Sequence, residues 1–469
     1  MTEIVIKSAS LILTMDDAAR ELVGVDIRVR DGVIAEIGAG LTGGEAIDAA
    51  GCLVTPGLVN THHHLYQSLT RAVPQAQDAP LFGWLQTLYP IWARFGPEEI
   101  HVSALTGLAE LALSGCTLTS DHLYLYPNGA RLDDTIAAAA EIGMRFHPTR
   151  GAMSIGESDG GLPPDSLVER EAHILNDCIR VIDAFHDPAE GAMCRVGIAP
   201  CSPFSVSRDL MRDAAILARD KGVMLHTHLA ENDEDIAYSL EKFGCRPGQY
   251  AEDLGWTGDD VWHAHCVKLD GQEIDLFAKT RTGIAHCPCS NCRLGSGIAP
   301  IRAMRDGGVK IGLGVDGSAS NDSGNLVAEA RMAMLLQRVQ SGAEAMSARE
   351  ALWIATRGGA EVLGRHDCGQ IATGKRADIA IWDPDKELTV TWDLLHDNVG
   401  YTPYEGQKIK GWPVMVLSRG NVVVEEGDLK VDRGNGQFLS RSLSHAAQPL
   451  GRLVPEMDPA RNFGADMLP

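Results

Sequence analysis

The sequence predicts an α/β protein in which a (β/α)8 barrel of the TIM type carries a small β-sandwich built from both chain ends. Strand candidates without intervening helices occupy the two ends of the chain, and strands alternate with helices between them. Such alternation is typical of βαβ units and a parallel sheet. The alternating region contains eight strand candidates, the number that closes a barrel, although an open sheet gives the same count.

The first part of the sandwich is expected within residues 1–55. Its strand candidates cover residues 3–6, 10–14, 25–30 and 33–37, the last two joined by an Asp-Gly hairpin signal. A second group of strand candidates near the other end covers residues 377–382, 414–418 and 422–425. Neither group buries a good core alone, so we expect residues 1–55 and 369–432 to combine into one sandwich. Residues 433–469 follow as an irregular C-terminal extension that packs across the barrel or a neighbouring subunit.

The barrel is expected over residues 56–368. Helix starts are well marked, as at Gly96-Pro97, where proline takes the first helical position and acidic residues follow in the first turn. The eight strand candidates cover residues 53–60, 116–122, 144–149, 195–200, 223–228, 261–266, 283–287 and 310–315. In such barrels the active-site residues lie at the C-terminal ends of the strands, so we expect the catalytic residues of this chain there.

Composition excludes some classes of partner. The 469 residues carry a formal net charge of −22, which argues against nucleic acid because that binding depends on Lys and Arg at phosphates. No apolar run approaches the ~20 residues that a membrane span needs. The 11 cysteines are scattered and no secretory leader opens the chain, so we expect reduced thiols and a cytoplasmic protein. A small, weakly charged substrate and a homodimer or higher homo-oligomer complete this expectation.

Histidines follow the first barrel strand. Side chains alternate along an extended strand, so His62 and His64 share one face while His63 points away. Two imidazoles on one face could form half of a metal site. A polar loop rich in histidine would have the same sequence, and on this tripeptide alone the two interpretations are about equal.

The later strands end in ionisable residues too. The fifth ends in His226-Thr227-His228, the sixth in His263-Ala264-His265, the seventh in His286 and the eighth in Asp316. Any one of these histidines alone is better read as a hydrogen-bonded core residue. Five strand ends that share the feature indicate a single site. Imidazoles plus one carboxylate suit Zn²⁺ or Fe²⁺, and three His with one Asp leave the open position of a catalytic site.

These motifs resemble a known family. The runs Pro56-Gly57-Leu58-Val59-Asn60-Thr61-His62-His63-His64, His228-Leu229-Ala230-Glu231, His265-Cys266-Val267 and Gly314-Val315-Asp316-Gly317 resemble the amidohydrolase superfamily. They look most like its branch that deaminates aminated purines, pterins, triazines and related rings. The resemblance covers nearly the whole chain, including the sandwich.

The resemblance implies a site. It makes His62, His64, His228 and Asp316 the ligands of one divalent metal, Zn²⁺ or alternatively Fe²⁺, and it makes Glu231 and His265 the acid/base pair. Many members bridge two metals with a lysine at the end of strand four, but here that strand ends Ala199-Pro200-Cys201, so one metal is implied. Asp316 would take a proton from metal-bound water, and the hydroxide would attack an amino-bearing ring carbon. Protonated Glu231 would donate a proton to the adjacent ring nitrogen, and His265 would stabilise the tetrahedral adduct by a hydrogen bond to the attacking oxygen.

Specificity is expected from the loops. The stretches around Tyr66-Gln67-Ser68, Phe82-Gly83-Trp84 and Thr149-Arg150-Gly151 resemble deaminases of the guanine type, and more closely those of 8-oxoguanine. Gln67 would bind a ring carbonyl and nitrogen and Arg150 a carbonyl oxygen, with a structural hydrogen bond as the alternative for each. Trp84 would form an aromatic wall or pack in a lid. The implied reaction converts 8-oxoguanine to urate and ammonia. Guanine, isoxanthopterin and an aminated hydroxytriazine are alternative substrates, and a metal-free scaffold is the alternative outside enzymes.

Overall fold

The computed structural model describes residues 3–395 and 404–430. The strands of these residues, β1 to β19 in chain order, are Glu3–Lys7, Leu11–Leu13, Glu21–Leu22, Asp26–Arg30, Val33–Gly38, Glu45–Asp48, Leu53–Pro56, Leu58–Asn60, Cys116–Leu123, Arg145–Ala152, Gly197–Pro200, Leu225–Leu229, Val261–His265, Gly283–His286, Lys310–Leu313, Ile379–Thr389, Lys408–Ser418, Asn421–Glu425 and Asp428–Leu429. The α-helices, α1 to α14, are Leu81–Trp92, Pro97–Leu113, Leu132–Ile142, Glu171–Phe185, Arg208–Lys221, Asp233–Phe243, Pro247–Asp253, Gly271–Thr280, Pro288–Arg293, Ile301–Gly307, Ser318–Asn321, Leu326–Ser341, Ala348–Trp353 and Gly359–Val362. The extension predicted for residues 433–469 lies outside the described residues.

The eight strands β8 to β15 form a closed barrel. Each pairs in parallel with its neighbours, and Leu313 of β15 pairs with Asn60 of β8 to close the ring. Helices follow most of the strands, as the alternation predicts, so the (β/α)8 fold is confirmed. Within the described ranges, no helix combines the length and apolar character that a membrane crossing requires.

The first predicted strand, residues 53–60, differs from the structure. It is divided at Gly57 into β7, which pairs with β16 outside the barrel, and β8, which belongs to the barrel. A Cβ at Gly57 would lie 2.2 Å from Oγ1 of Thr117, so only glycine lets the chain pass this close to β9. One apolar run therefore serves two sheets.

Strands from both chain ends build the sheets beside the barrel. A four-stranded sheet has the order β5-β4-β1-β6, and a seven-stranded sheet has the order β19-β18-β17-β16-β7-β2-β3. They share an apolar core that includes Ile6, Ile27, Val54, Ile379 and Leu417. The prediction that the two ends combine is confirmed, because neither end supplies this core alone.

A buried ion-pair cluster joins the barrel to these sheets. Arg145 at the start of β10 donates to Asp378, immediately before β16, at 2.5 Å and to Asp367 at 2.6 Å. All three side chains are buried. Asp378 also accepts a hydrogen bond from the Arg419 backbone at 2.8 Å, so the cluster reaches the turn between β17 and β18.

Candidate metal-dependent active site

The imidazoles of His64 and His228, at the C-terminal end of the barrel, point their Nε2 atoms at each other. Nδ1 of His64 donates to the His122 carbonyl at 2.7 Å, and Nδ1 of His228 donates to the Cys201 carbonyl at 2.6 Å. In the neutral rings both Nε2 atoms therefore carry lone pairs, and these atoms are 3.0 Å apart. Two lone pairs at this distance repel each other unless a cation lies between them.

His62 reaches the same orientation through a second histidine. The Trp262 carbonyl accepts from Nδ1 of His226 at 2.9 Å, so Nε2 of His226 is the acceptor for Nδ1 of His62 at 2.8 Å. Nε2 of His62 is left buried and without a hydrogen-bond partner among the described residues. Backbone carbonyls thus fix the tautomers of three metal-facing rings, which is how metal-binding histidines are usually oriented.

Asp316 completes the donor set. Its Oδ1 lies 3.3 Å from Nε2 of His62 and 3.4 Å from Nε2 of His64. A tetrahedral centre with bonds of 2.0–2.1 Å has ligand atoms roughly 3.3 Å apart, so these spacings fit a small divalent ion. Despite burial, the adjacent imidazoles hold the pKa of Asp316 well below its usual value, which keeps it an anion. Two overlapping groups of side chains here could hold a metal ion: His62, His64, His122 and His228, and His62, His265 and Asp316.

His122 is a further imidazole beside this site. Its Nε2 donates to the Ala199 carbonyl at 2.8 Å, and its Nδ1 has no partner among the described residues. One ring nitrogen of His122 lies within 4.8 Å of nitrogens on His62, His64 and His228. His122 ends the strand predicted over residues 116–122, and its spacing alone indicates no role.

Glu231 and His265 lie on the other side of the Asp316 carboxylate. Nε2 of His265 is 3.6 Å from Glu231 and 3.9 Å from Oδ2 of Asp316, while its Nδ1 bonds Oδ1 of Asn291 at 2.9 Å. Burial raises the pKa of Glu231 to about 7. Burial lowers the pKa of His265, but the Glu231 and Asp316 carboxylates outweigh it and raise that pKa overall. A proton can therefore be held and moved within this pair near neutral pH.

The backbone is strained where these side chains leave the strands. His265 has φ +68° and Asp316 has φ +61°, in the left-handed region that non-glycine residues seldom occupy. Such conformations cost on the order of 1–3 kcal/mol each and concentrate at functional sites. Hydrogen bonds hold Asp316 in place, from the Gly317 backbone at 2.8 Å to Oδ1 and from Ser290 at 2.6 Å to Oδ2.

A mostly apolar cavity adjoins the donor set. Its lining includes His64, His228, Glu231, His265 and Asp316, and a second group from the loops and α1: Gln67, Leu81, Trp84, Leu85, Tyr89, Tyr124, Cys201, Ser202, Phe204, Leu294 and Ser320. Gln67 is buried, and its Oε1 has no partner among the described residues. Trp84 donates from Nε1 to the Ala319 carbonyl at 3.3 Å, which fixes its ring in the wall.

The structure does not bring Arg150 to this cavity. Its guanidinium pairs with Glu169 at 2.8 Å and Asp177 at 3.0 Å, and it stacks 4.0 Å from the centre of the Tyr126 ring. Alternation along β10 explains the difference, because Arg150 shares the face of Phe146, which packs towards the surrounding helices. The interaction expected between Arg150 and a substrate carbonyl has no geometry to support it.

The supporting residues that sequence reasoning missed are mainly His226, Ser290 and Asn291. His226 was detectable in part, because alternation gives it the same face as His228. Ser290 and Asn291 follow the seventh strand, and nothing in their spacing says that they hold Asp316 and His265.

Comparison with known proteins is decisive for the family. The model of the amidohydrolase family matches residues 53–423. This chain belongs to the amidohydrolase family. The 8-oxoguanine deaminase of Pseudomonas aeruginosa is 47% identical over 377 residues, covering 79% of this chain and 83% of that protein. An isoxanthopterin deaminase from an unknown prokaryotic organism is 39% identical, covering 79% of this chain and 82% of its own length.

A solved structure agrees with the fold. The atrazine chlorohydrolase TrzN of Arthrobacter aurescens TC1, complexed with zinc, superposes with a TM-score of 0.82 at 35% identity, covering 92% of this chain and 97% of that one. Together with the named deaminases, the family confirms the prediction that this chain is a hydrolase acting on C–N bonds.

Proposed function

We propose that this amidohydrolase converts 8-oxoguanine and water to urate and ammonia. The observation that carries the proposal is the close approach of three imidazole nitrogens and the Asp316 carboxylate beside an acid/base pair that lines an apolar cavity. The same catalytic residues could act on other aminated heterocycles, so the choice of 8-oxoguanine as substrate rests on the similarity to an 8-oxoguanine deaminase at 47% identity. Deamination of isoxanthopterin is the second candidate, favoured by the relative at 39% identity.

The metal assignment is part of the proposal. His62, His64, His228 and Asp316 would hold one divalent ion, with Zn²⁺ preferred because imidazole and carboxylate ligands suit it and Fe²⁺ as the alternative. When bound, such an ion lowers the pKa of its water and supplies a nucleophile at neutral pH. The zinc complex of the related atrazine chlorohydrolase supports the same choice.

The chain's own residues would then manage the protons. Asp316 keeps Oδ2 towards His265 and the cavity, where it accepts the proton of the attacking water. Glu231, buried with a pKa of about 7, would donate to the ring nitrogen beside the reacting carbon. His265 would hydrogen-bond the incoming oxygen, with its ring held by Asn291. Transfer of the proton held by Asp316 to the exocyclic nitrogen would release ammonia, and transfer of the adduct's hydroxyl proton to Glu231 would form the carbonyl and restore the acid.

Substrate recognition is proposed to rely on neutral groups. Gln67 lines the cavity, and its buried Oε1 has no partner among the described residues. This side-chain amide would bind a ring N–H, and Trp84 would supply an aromatic wall. No Lys or Arg belongs to the cavity lining among the described residues. A neutral purine therefore fits this lining better than an anionic substrate. We keep the expectations of a cytoplasmic location and a homo-oligomer as proposals.

Ammonia release tests the function directly. Zinc-loaded protein is assayed with 8-oxoguanine, guanine, isoxanthopterin and an aminated hydroxytriazine, and kcat/KM is compared across the panel. We expect 8-oxoguanine to exceed every other ring by at least roughly tenfold, a difference of about 1.4 kcal/mol in transition-state binding. A higher kcat/KM on another ring would replace the substrate and keep the enzyme class. Purified protein that neither contains nor takes up a divalent metal would favour the scaffold alternative.

A further inference from the structure

A second polar cluster lies at the opposite, N-terminal end of the barrel. Side-chain alternation along β10 directs His147 into the barrel, where its ring meets Trp262 edge-on at 5.3 Å. His147 is 1% exposed, and neither of its ring nitrogens has a hydrogen-bond partner among the described residues. A buried neutral imidazole needs both a donor and an acceptor, so leaving both nitrogens unpaired is costly.

His147 faces a basal groove, which we define by His147, His186, Arg195, Val223 and Asp260 among its lining residues. The groups that act electrostatically on His147 are all basic: Arg365, Arg195 and His186. His186 accepts from the Val196 backbone at Nδ1, so its other nitrogen carries a hydrogen. This half-buried N–H is a donor available to the groove.

Two arginines beside His147 have unused donors. Among the described residues, Arg195 donates only to the backbone carbonyls of Pro188, Ala189 and Gly364, and its Nε has no partner. Arg365 lies fully buried behind the groove and donates to the Ala192 carbonyl, while its Nε and Nη2 have no partner in the described part of the chain. Neither guanidinium has a carboxylate within ion-pair distance in the described part of the chain, which is unusual for a buried arginine.

The nearby carboxylates are engaged elsewhere. Asp260 and Asp259 both line the groove, and each has a cationic partner: Asp260 pairs with Arg219 at 3.1 Å, and Asp259 pairs with Lys310 at 2.8 Å. Asp367 is bound to Arg145 at 2.6 Å. The basic side chains around His147 therefore have an excess of positive charge and of N–H donors.

We propose that the basal groove binds a small oxyanion of the phosphate or carboxylate class between His147, His186 and Arg195. Guanidinium and imidazole N–H groups donate to the oxygens of such anions, and partly buried donors bind them more strongly than exposed ones. The oxyanion would accept from the N–H of His147 and from Arg195 together, and it would balance the charge of Arg365 behind them. The site is separate from the metal centre, which lies at the other end of the same strands.

Thermal unfolding and calorimetry of the metal-loaded protein test this proposal. Inorganic phosphate and acetate are titrated against chloride at matched ionic strength. We expect a saturable rise in Tm, on the order of 1–3 °C, and one binding event per chain for at least one of the two anions. Saturable binding of phosphate alone would indicate a site for a tetrahedral oxyanion, and saturable binding of acetate alone would indicate a site for a carboxylate.

Two variants and a control locate the binding. His147→Leu removes both unpaired nitrogens at similar volume. His186→Asn keeps an acceptor for the Val196 amide, but its shorter side chain carries no N–H to the position of His186 Nε2. Each should abolish the saturable shift and reduce affinity at least roughly tenfold. Arg212→Gln, on exposed α5 with partners Asp209 and Asp213 only, should leave the shift unchanged.

Other results would overturn the proposal. A stabilisation that rises linearly with salt and is equal in all variants is general exclusion of the anion from the protein surface. Binding that survives both groove variants and competes with substrate belongs to the metal centre. No binding of either anion would mean that water alone satisfies His147.

Discussion

At the scale of single residues, the site depends on which nitrogen of each imidazole carries hydrogen. His64 and His228 are set by carbonyls directly, and His62 is set through His226. Nε2 of each ring is thereby left free for a cation before any cation arrives. Burial lowers the pKa of all three rings below the usual value, so they stay neutral and compete little with protons for the metal.

The titration of Glu231 gives a prediction about pH. Burial raises its pKa to about 7, and its proposed role as acid requires the protonated form. We expect kcat/KM to be level on the acid side of this pKa and to fall about tenfold per pH unit above it. The measurement is kcat/KM for ammonia release between pH 5.5 and 9, with metal content checked at each pH.

Two variants separate Glu231 from other groups in this pH profile. Glu231→Gln should lower kcat by a factor on the order of 10²–10⁴ and remove the alkaline limb. Ser296 donates to Glu231 at 3.5 Å and lowers its pKa, so Ser296→Ala should move the limb to higher pH with kcat nearly unchanged. An alkaline limb that persists in Glu231→Gln would assign it to another residue.

At the scale of elements, the 3-10 helix Leu65–Thr70 packs against the start of α11, and Gly317 is the point of contact. A Cβ on Gly317 would lie 1.9 Å from Oε1 of Gln67, although the φ of −72° at Gly317 suits any residue. Gly317→Ala should therefore displace the Gln67 amide without straining the backbone.

We expect Gly317→Ala to change selectivity among ring substrates. The ratio of kcat/KM between 8-oxoguanine and guanine should fall by about 10-fold, the effect of one lost polar contact, while metal content stays the same. Gly271→Ala is the matched control, because a Cβ there meets no atom within 4 Å. An unchanged ratio in Gly317→Ala would remove Gln67 from substrate recognition.

The elements also show how far sequence reasoning reaches. The structure brings His62 close to His228, and also to His265 and Asp316. Sequence reasoning can reach such a cluster, because the ends of parallel strands meet at one edge and polar residues there differ from the apolar strands. The supporting bonds were not predictable, because most of them go to backbone carbonyls, which every residue carries. Arg150 is the opposite case. As a cationic residue it was expected to contact a substrate carbonyl, but side-chain alternation along β10 directs it out of the barrel.

At the scale of the whole molecule, the buried cluster around Arg145 connects the barrel to the terminal sheets. Asp378→Asn leaves Arg145 with Asp367 as its single charged partner. We expect the free energy of unfolding to fall by about 3 kcal/mol, because breaking a buried pair leaves part of a charge uncompensated. Urea unfolding with probes in both parts measures it, and exposed Asp385→Asn is the control. A loss below about 0.5 kcal/mol would mean that the cluster is not a structural link.

The orienting carbonyls of the metal ligands have a consequence for folding. His64 of strand one is set by strand two, His228 of strand five by the residue after strand four, and His62 by strand six through His226. None of these three histidines is oriented by its own strand, so a half-built barrel offers histidines that rotate freely. Tight zinc binding during refolding should therefore require the closed barrel. A refolding chain that has formed its helices but has not paired β15 with β8 should not bind the ion.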